Sequence, residues 1–98
     1  IQYLKRYCFD KAFISCTSLD TAYGIYDSGD MIAEFHRSIL NCADKKFLIA
    51  DHTKFDRSAF ARMGTLDSVD VLVTDKELTK DWKNHLKECS IHLVECGK

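Results

Sequence analysis

The chain has 98 residues, 46% hydrophobic and 30% charged, with 14 Lys and Arg against 15 Asp and Glu for a formal net charge of −1. Such a composition argues for one folded domain and against a disordered tail, and the interspersed charge argues against this segment itself gripping DNA or an anionic membrane, which needs a basic patch. No run approaches the roughly 18 apolar residues of a membrane span, and "IQYLKRYCFD" lacks the apolar core of a signal peptide.

In chain order, "KAFISC" (11–16) is a short apolar run bounded by polar residues and predicts a buried strand. "TSLDTAYGIYDSGD" is rich in Ser, Thr, Asp and Gly and reads as a long irregular loop, a feature compact domains seldom keep unless something uses it. Asp30 is placed to cap a helix through its carboxylate, and Ile32, Phe35, Ile39, Leu40 and Ala43 follow at helical spacing. "KFLIAD" is a second strand, apolar without alternation as when both faces are covered. "VDVLVTD" (69–75) is a third. Leu78, Trp82, Leu86 and Cys89 mark a second amphipathic helix, and "IHLVEC" (91–96) a last strand. Strands alternating with helices imply an α/β fold, a mostly parallel sheet of about four strands with flanking helices. Proline is absent.

Five cysteines (Cys8, Cys16, Cys42, Cys89, Cys96) form an odd set without a C-x-x-C pair. Each sits in or beside an apolar stretch, which fits small hydrophobes in a reducing compartment and predicts a cytoplasmic protein. The histidines His36, His52, His85 and His92 make no metal spacing with cysteine or acid, so no metal or other cofactor is expected. Phosphate-loop, dinucleotide and nucleophile-elbow patterns are missing.

In open parallel sheets ligands bind at the carboxyl ends of strands. Three such ends are readable: "ISCTSLD", "ADHTKF" and "VTDKEL". The first two gather hydroxyls (Ser15, Thr17, Ser18), carboxylates (Asp20, Asp51) and a cation (Lys54), groups suited to a phosphorylated polyol. Strand-end Ser, Thr and Asp are also ordinary turn formers, and composition alone does not choose between the two readings.

"DKAFISCTSLD", "ADKKFLIADHTKFDRSAFARM" and "VDVLVTDKEL", in this order and separation, resemble the C-terminal sensor domain of DeoR-type bacterial transcriptional regulators. The resemblance covers nearly the whole chain. It implies an incomplete Rossmann-like fold of the sugar-phosphate isomerase type, similar to ribose-5-phosphate isomerase and glucosamine-6-phosphate deaminase. Residues 1–98 would then be the C-terminal part of a sensor, with a winged helix-turn-helix and the start of the sensor lying upstream. The implied partners are a phosphorylated sugar effector and, through the absent domain, operator DNA; no membrane partner is expected, and a homo-oligomer is.

Asp20, Asp51, Lys54 and Phe55 match the family pattern, and Lys54 falls where the isomerases keep a phosphate-side lysine. The family's Gly-Ala-x-Gly is replaced by Ser15-Cys16-Thr17-Ser18, and His36 stands where the isomerases have a catalytic glutamate. The expected effector site is Ser15, Thr17, Ser18, Asp20, His36, Asp51 and Lys54. Most of the isomerase acids are missing, so the resemblance implies a non-enzyme. The alternatives are an isomerase-like enzyme using His36 as base with Asp20 as its partner, or an oligomerisation module without a ligand.

Overall fold

A computed structural model of the chain describes residues 9–21 and 24–96. The described residues follow the order β1 (Phe9–Ser15), β2 (Ser18–Asp20), β3 (Gly24–Asp27), α1 (Asp30–Cys42), β4 (Ala43–Ile49), β5 (Ala61–Gly64), β6 (Val71–Thr74), α2 (Lys80–Glu88) and β7 (His92–Glu95). β1, β4, β6 and β7 form one sheet in the order β1-β4-β6-β7, every neighbouring pair parallel. This is the α/β class and four-stranded parallel sheet that the apolar runs predict. A second, antiparallel sheet in the order β2-β3-β5 was not legible. Its strands span only three or four residues and lie in stretches whose turn-forming composition reads as loop.

The core lies between the parallel sheet and a layer made of the small sheet and both helices. Ile14, Leu48 and Leu72 from the parallel strands meet Leu19, Ile25, Met63, Trp82 and Leu86 from the other layer, all buried. Gly24 is required in this layer. Its φ is +109°, and a Cβ there would sit 2.3 Å from the Gly64 carbonyl oxygen on β5.

The opposite face of the parallel sheet is covered only in part: Val71, in register with Phe47, is buried, but its neighbours toward the β1 edge are not. Phe13 is 60% and Ile49 47% exposed, and Phe13 stacks on Phe47 across the β1–β4 pair with ring centroids 4.5 Å apart. The lack of polar alternation in these strands thus reflects apolar side chains on both faces, only one of them fully covered here.

α1 keeps the second half of its predicted stripe and departs from the first. Leu40 and Ala43 are buried and Ile39 packs against the core, whereas Ile32 and Phe35 remain exposed and Ala33 and Ser38 are buried. Two polar residues of the helix also have partners in the fold: His36 meets Asp27, and the exposed Arg37 donates from Nη1 to the Arg62 and Met63 carbonyls of β5 at 3.0 and 3.3 Å. Asp30 is the first helical residue rather than the cap; Gly29 is the N-cap and gives no side-chain bond. α1 passes straight into β4, with Ala43 serving as both C-cap and first strand residue.

α2 follows its predicted pattern. Thr79 caps it by accepting from the Trp82 N–H at 3.3 Å, and Trp82 and Leu86 are buried. It ends on Ser90, whose φ is 62°, with Ser90 N–H donating to the Lys87 carbonyl and Ile91 N–H to the Leu86 carbonyl. Of the cysteines, Cys16 is buried, Cys42 and Cys89 are partly so, and Cys96 is exposed; all four are free thiols, and Cys8 lies outside the described residues. The expectation of buried hydrophobes therefore fails for Cys96, which follows the last strand.

Candidate functional site

β1 and β4 are paired in parallel up to Ser15 opposite Ile49, so both chains leave the sheet side by side at its carboxyl edge. The exit of β1 is then held against the exit of β4. Leu19 forms a parallel bridge with Phe55, and the Arg57 N–H donates to the Leu19 carbonyl at 3.3 Å. Asp20 follows and Lys54 precedes that bridged pair.

The segment after β4 is built by its own side chains. Asp51 caps a short 3-10 turn, His52–Lys54, by accepting from the Thr53 N–H at 2.9 Å and from the Thr53 hydroxyl. His52 ties the turn to the end of β6: its N–H donates to Asp75 at 2.8 Å and its Nδ1 lies 2.9 Å from the same carboxylate. Phe55 then enters the core edge-on to Trp82, and Asp56, at φ 61°, accepts from the Trp82 indole N–H at 2.9 Å. α2 thereby pins the loop that carries Lys54.

Each expected site residue has a definite place. Ser15 is the exposed last residue of β1. Thr17 is exposed, with its N–H donating to the Tyr26 carbonyl at 2.9 Å. Ser18 is 3% exposed and its hydroxyl has no hydrogen-bond partner. Asp20 accepts from the Gly24 N–H at 3.2 Å and the Tyr26 hydroxyl at 3.1 Å. Asp51 is the turn cap. Lys54 is half-buried and forms no ion pair among the described residues. His36 reaches the fold from α1, and its Nδ1 lies 3.1 Å from the carboxylate of Asp27.

Under the enzymatic alternative His36 and Asp20 would act together; the hydrogen-bond partner observed for His36 Nδ1 is Asp27. Asp20 is engaged by β3, and the partner of His36 is Asp27, which is buried. Asp27 was absent from the sequence-based site because "GIYDSGD" reads as loop. Its one visible signal is the polar His36 on the inner face of an otherwise amphipathic helix.

Cys16 lies among these groups. Burial pushes its thiol up to about 12; the Asp27 carboxylate adds to the rise, the Lys54 ammonium opposes it, and Asp51 adds a further increment. The thiol is thus protonated at neutral pH and serves as packing. Thr53 holds the exposed Asp51 carboxyl below the usual range, and His52 does the same for Asp75. A hollow of about 220 Å³ opens beside the turn, between the ends of β4 and β6, lined among others by Ile49, Asp51, Thr74 and Asp75. Among the described residues no three His, Cys, Asp or Glu side chains converge as metal ligands, and no helix is long and apolar enough to cross a membrane.

Residues 1–76 match the profile of the family described as the DeoR C terminal sensor domain. The chain belongs to that family. Curated relatives of this sensor domain include the L-fucose operon activator of Escherichia coli strain K12, 33% identical over 76 residues, or 78% of this chain and 31% of that protein. The glycerol-3-phosphate regulon repressor of Haemophilus influenzae is 27% identical over 97 residues, 99% of this chain and 38% of that one. The HTH-type transcriptional regulator IolR of Bacillus subtilis is 29% identical over 93 residues, 93% and 37% of the two chains. The DeoR sensor chain thus spans about a third of the length of the relatives it matches.

Proposed function

We propose that this chain is the C-terminal part of the effector-sensing domain of a cytoplasmic transcriptional regulator. It binds a phosphorylated sugar and passes the binding to a winged helix-turn-helix elsewhere in the same polypeptide, which holds operator DNA. The observation that carries this reading is the shared rim where β1 and β4 leave the sheet. There Lys54 has no ion-pair partner among the described residues, and the buried Ser18 hydroxyl has no hydrogen bond, an arrangement that costs free energy unless something occupies it. Ser15, Thr17, Ser18, Asp20, His36, Asp51 and Lys54 form the site in this reading, with Lys54 taking the phosphate and Asp51 and Asp20 accepting sugar hydroxyls.

The domain works as a sensor and not as a catalyst. In support of this reading, His36 Nδ1 lies against the buried Asp27, and Asp20 accepts from the Gly24 N–H and the Tyr26 hydroxyl. Binding shifts the regulator between DNA-competent and DNA-incompetent states by no more than the effector's preference for one of them.

The test is calorimetry of the complete protein against a panel of sugar phosphates. Lys54→Ala is expected to weaken the binding of the best panel member roughly tenfold to a hundredfold, the worth of one charge-assisted contact. Tight binding that ignores this change removes Lys54 from the site. No heat with any panel member removes the sugar-phosphate reading.

A further inference from the structure

The three steps along the parallel sheet, β1 to β4, β4 to β6 and β6 to β7, all run the same way across it. Right-handed crossovers that advance in one direction land on one face, and the small sheet, α1 and α2 all pack there. The other face is left to Phe13, Phe47 and Ile49 beside the buried Val71. None of the described connections reaches it without a left-handed crossover.

Strand register sorts this face into rows. Lys11 lies opposite Lys45 at the amino edge, Phe13 opposite Phe47 and then Val71 in the middle, and Ile49 opposite Val73 and then Val94 beyond. Asp51 and Asp75 close the carboxyl edge, where with Ile49 and Val73 they line the hollow of about 220 Å³. Lys11 and Lys45 are exposed and enter no ion pair among the described residues. Thr53 and His52 hold the two carboxyls in the ionised form. The face is therefore apolar in the middle, positive at one end and negative at the other.

We propose that this face is the seat of an amphipathic α-helix supplied by the polypeptide outside residues 9–96 and lying antiparallel to the strands. A helix carries partial positive charge at its N-terminus and partial negative charge at its C-terminus. Laid antiparallel, it sets its N-terminal end on Asp51 and Asp75 and its C-terminal end on Lys11 and Lys45. Its apolar stripe then covers the Phe13–Phe47 stack, and one large side chain fills the hollow. The chain spans about a third of the length of the relatives it matches, and a polypeptide of their length has ample chain to supply the helix. A second copy turned end for end would also set lysines against aspartates. It would stack two parallel sheets directly, whereas parallel sheets are covered by helices, which favours the helix. The seat exists whether or not a sugar phosphate binds at the Lys54 turn.

Hydroxyl-radical footprinting of the complete, unmodified protein reads the cover directly. Phe13, 60% exposed among the described residues, should oxidise roughly tenfold more slowly than Phe60, which is 81% exposed. An equal mixture of natural-abundance and nitrogen-15 copies treated with an amine cross-linker locates the occupant. Lys11 or Lys45 should be joined to lysines outside residues 1–98, in pairs of one isotope only. Mixed-isotope pairs joining them to Lys54 or Lys76 would assign the face to a second copy and overturn the proposal. Oxidation of Phe13 as fast as Phe60 overturns it by showing a bare face. Protection of Phe13 without a link from Lys11 or Lys45 to the rest of the polypeptide overturns the antiparallel seat.

Discussion

Lys54 and Asp75 illustrate how single side chains at the carboxyl edge divide their work. Lys54 is half-buried and unpaired, so removing it should touch ligand affinity and leave the thermal midpoint close to unchanged. Asp75 does the reverse. Its carboxyl is held low first by the His52 hydrogen bond, so its ionised form favours the native state. That contribution is complete above the ordinary carboxylate value of about 3.9 and disappears as the pH falls through the lower native value. An acid titration followed by circular dichroism should therefore show a shallower loss of stability below pH 4 in Asp75→Asn than in the unmodified chain. An identical acid limb would mean that the His52–Asp75 contact does not persist in solution. Cys16 carries neither role: a thiol pushed to about 12 is a packing group, and its neighbours matter more than its sulfur.

At the scale of elements, two features of α2 bear directly on the site. Ser90 closes the helix at φ 62°, a conformation in which a side chain is strained and glycine is not. Ser90→Gly is expected to stabilise the chain by about 0.5–1 kcal/mol in urea denaturation; a loss of stability would show that the Ser90 side chain has a compensating contact. Trp82→Phe keeps the edge-on ring against Phe55 but deletes the indole donor to Asp56. We expect a loss of about 0.5–1.5 kcal/mol, the net worth of one hydrogen bond to the exposed Asp56, with faster amide exchange concentrated in residues 51–57. Uniform exchange across the chain would mean that α2 does not hold the loop.

These elements also show what could be read in advance. The four parallel strands announced themselves as apolar runs, and α2 through Trp82 and Leu86 at helical spacing, because in both the core decides the sequence. The antiparallel sheet did not, since Ser18, Asp20, Gly24 and Asp27 are turn residues by composition and become strand by pairing with one another and with β5. Asp30 was offered as a cap one residue too late. Ile39, Leu40 and Ala43 of the α1 stripe pack as their spacing predicts, Ile32 and Phe35 do not, and Asp27 cannot be recognised without its partner His36.

For the whole molecule the decisive asymmetry is a parallel sheet covered fully on one face and only in part, at Val71, on the other. Phe13, Phe47, Ile49, Val73 and Val94 lie on the other face and keep contact with solvent. Parallel sheets are stable in proteins that cover both faces, so residues 1–98 by themselves should bind a hydrophobic dye and associate with rising concentration. Sedimentation of Phe13→Ser/Ile49→Ser should show association weakened roughly tenfold or more. If the double variant associates as strongly as the parent, another surface is responsible, with the exposed Met31, Ile32 and Phe35 of α1 the next to test.

The junction between α1 and β4 has a mechanical consequence. Cys42 is the last helical residue and Ala43 the first of the strand, so no slack separates the rod that carries His36 from the ribbon that leads to Lys54. A ligand that draws one toward the other cannot be accommodated by a yielding hinge there; a slide of the rod along its axis must be answered in the register of the ribbon beside β1 and β6.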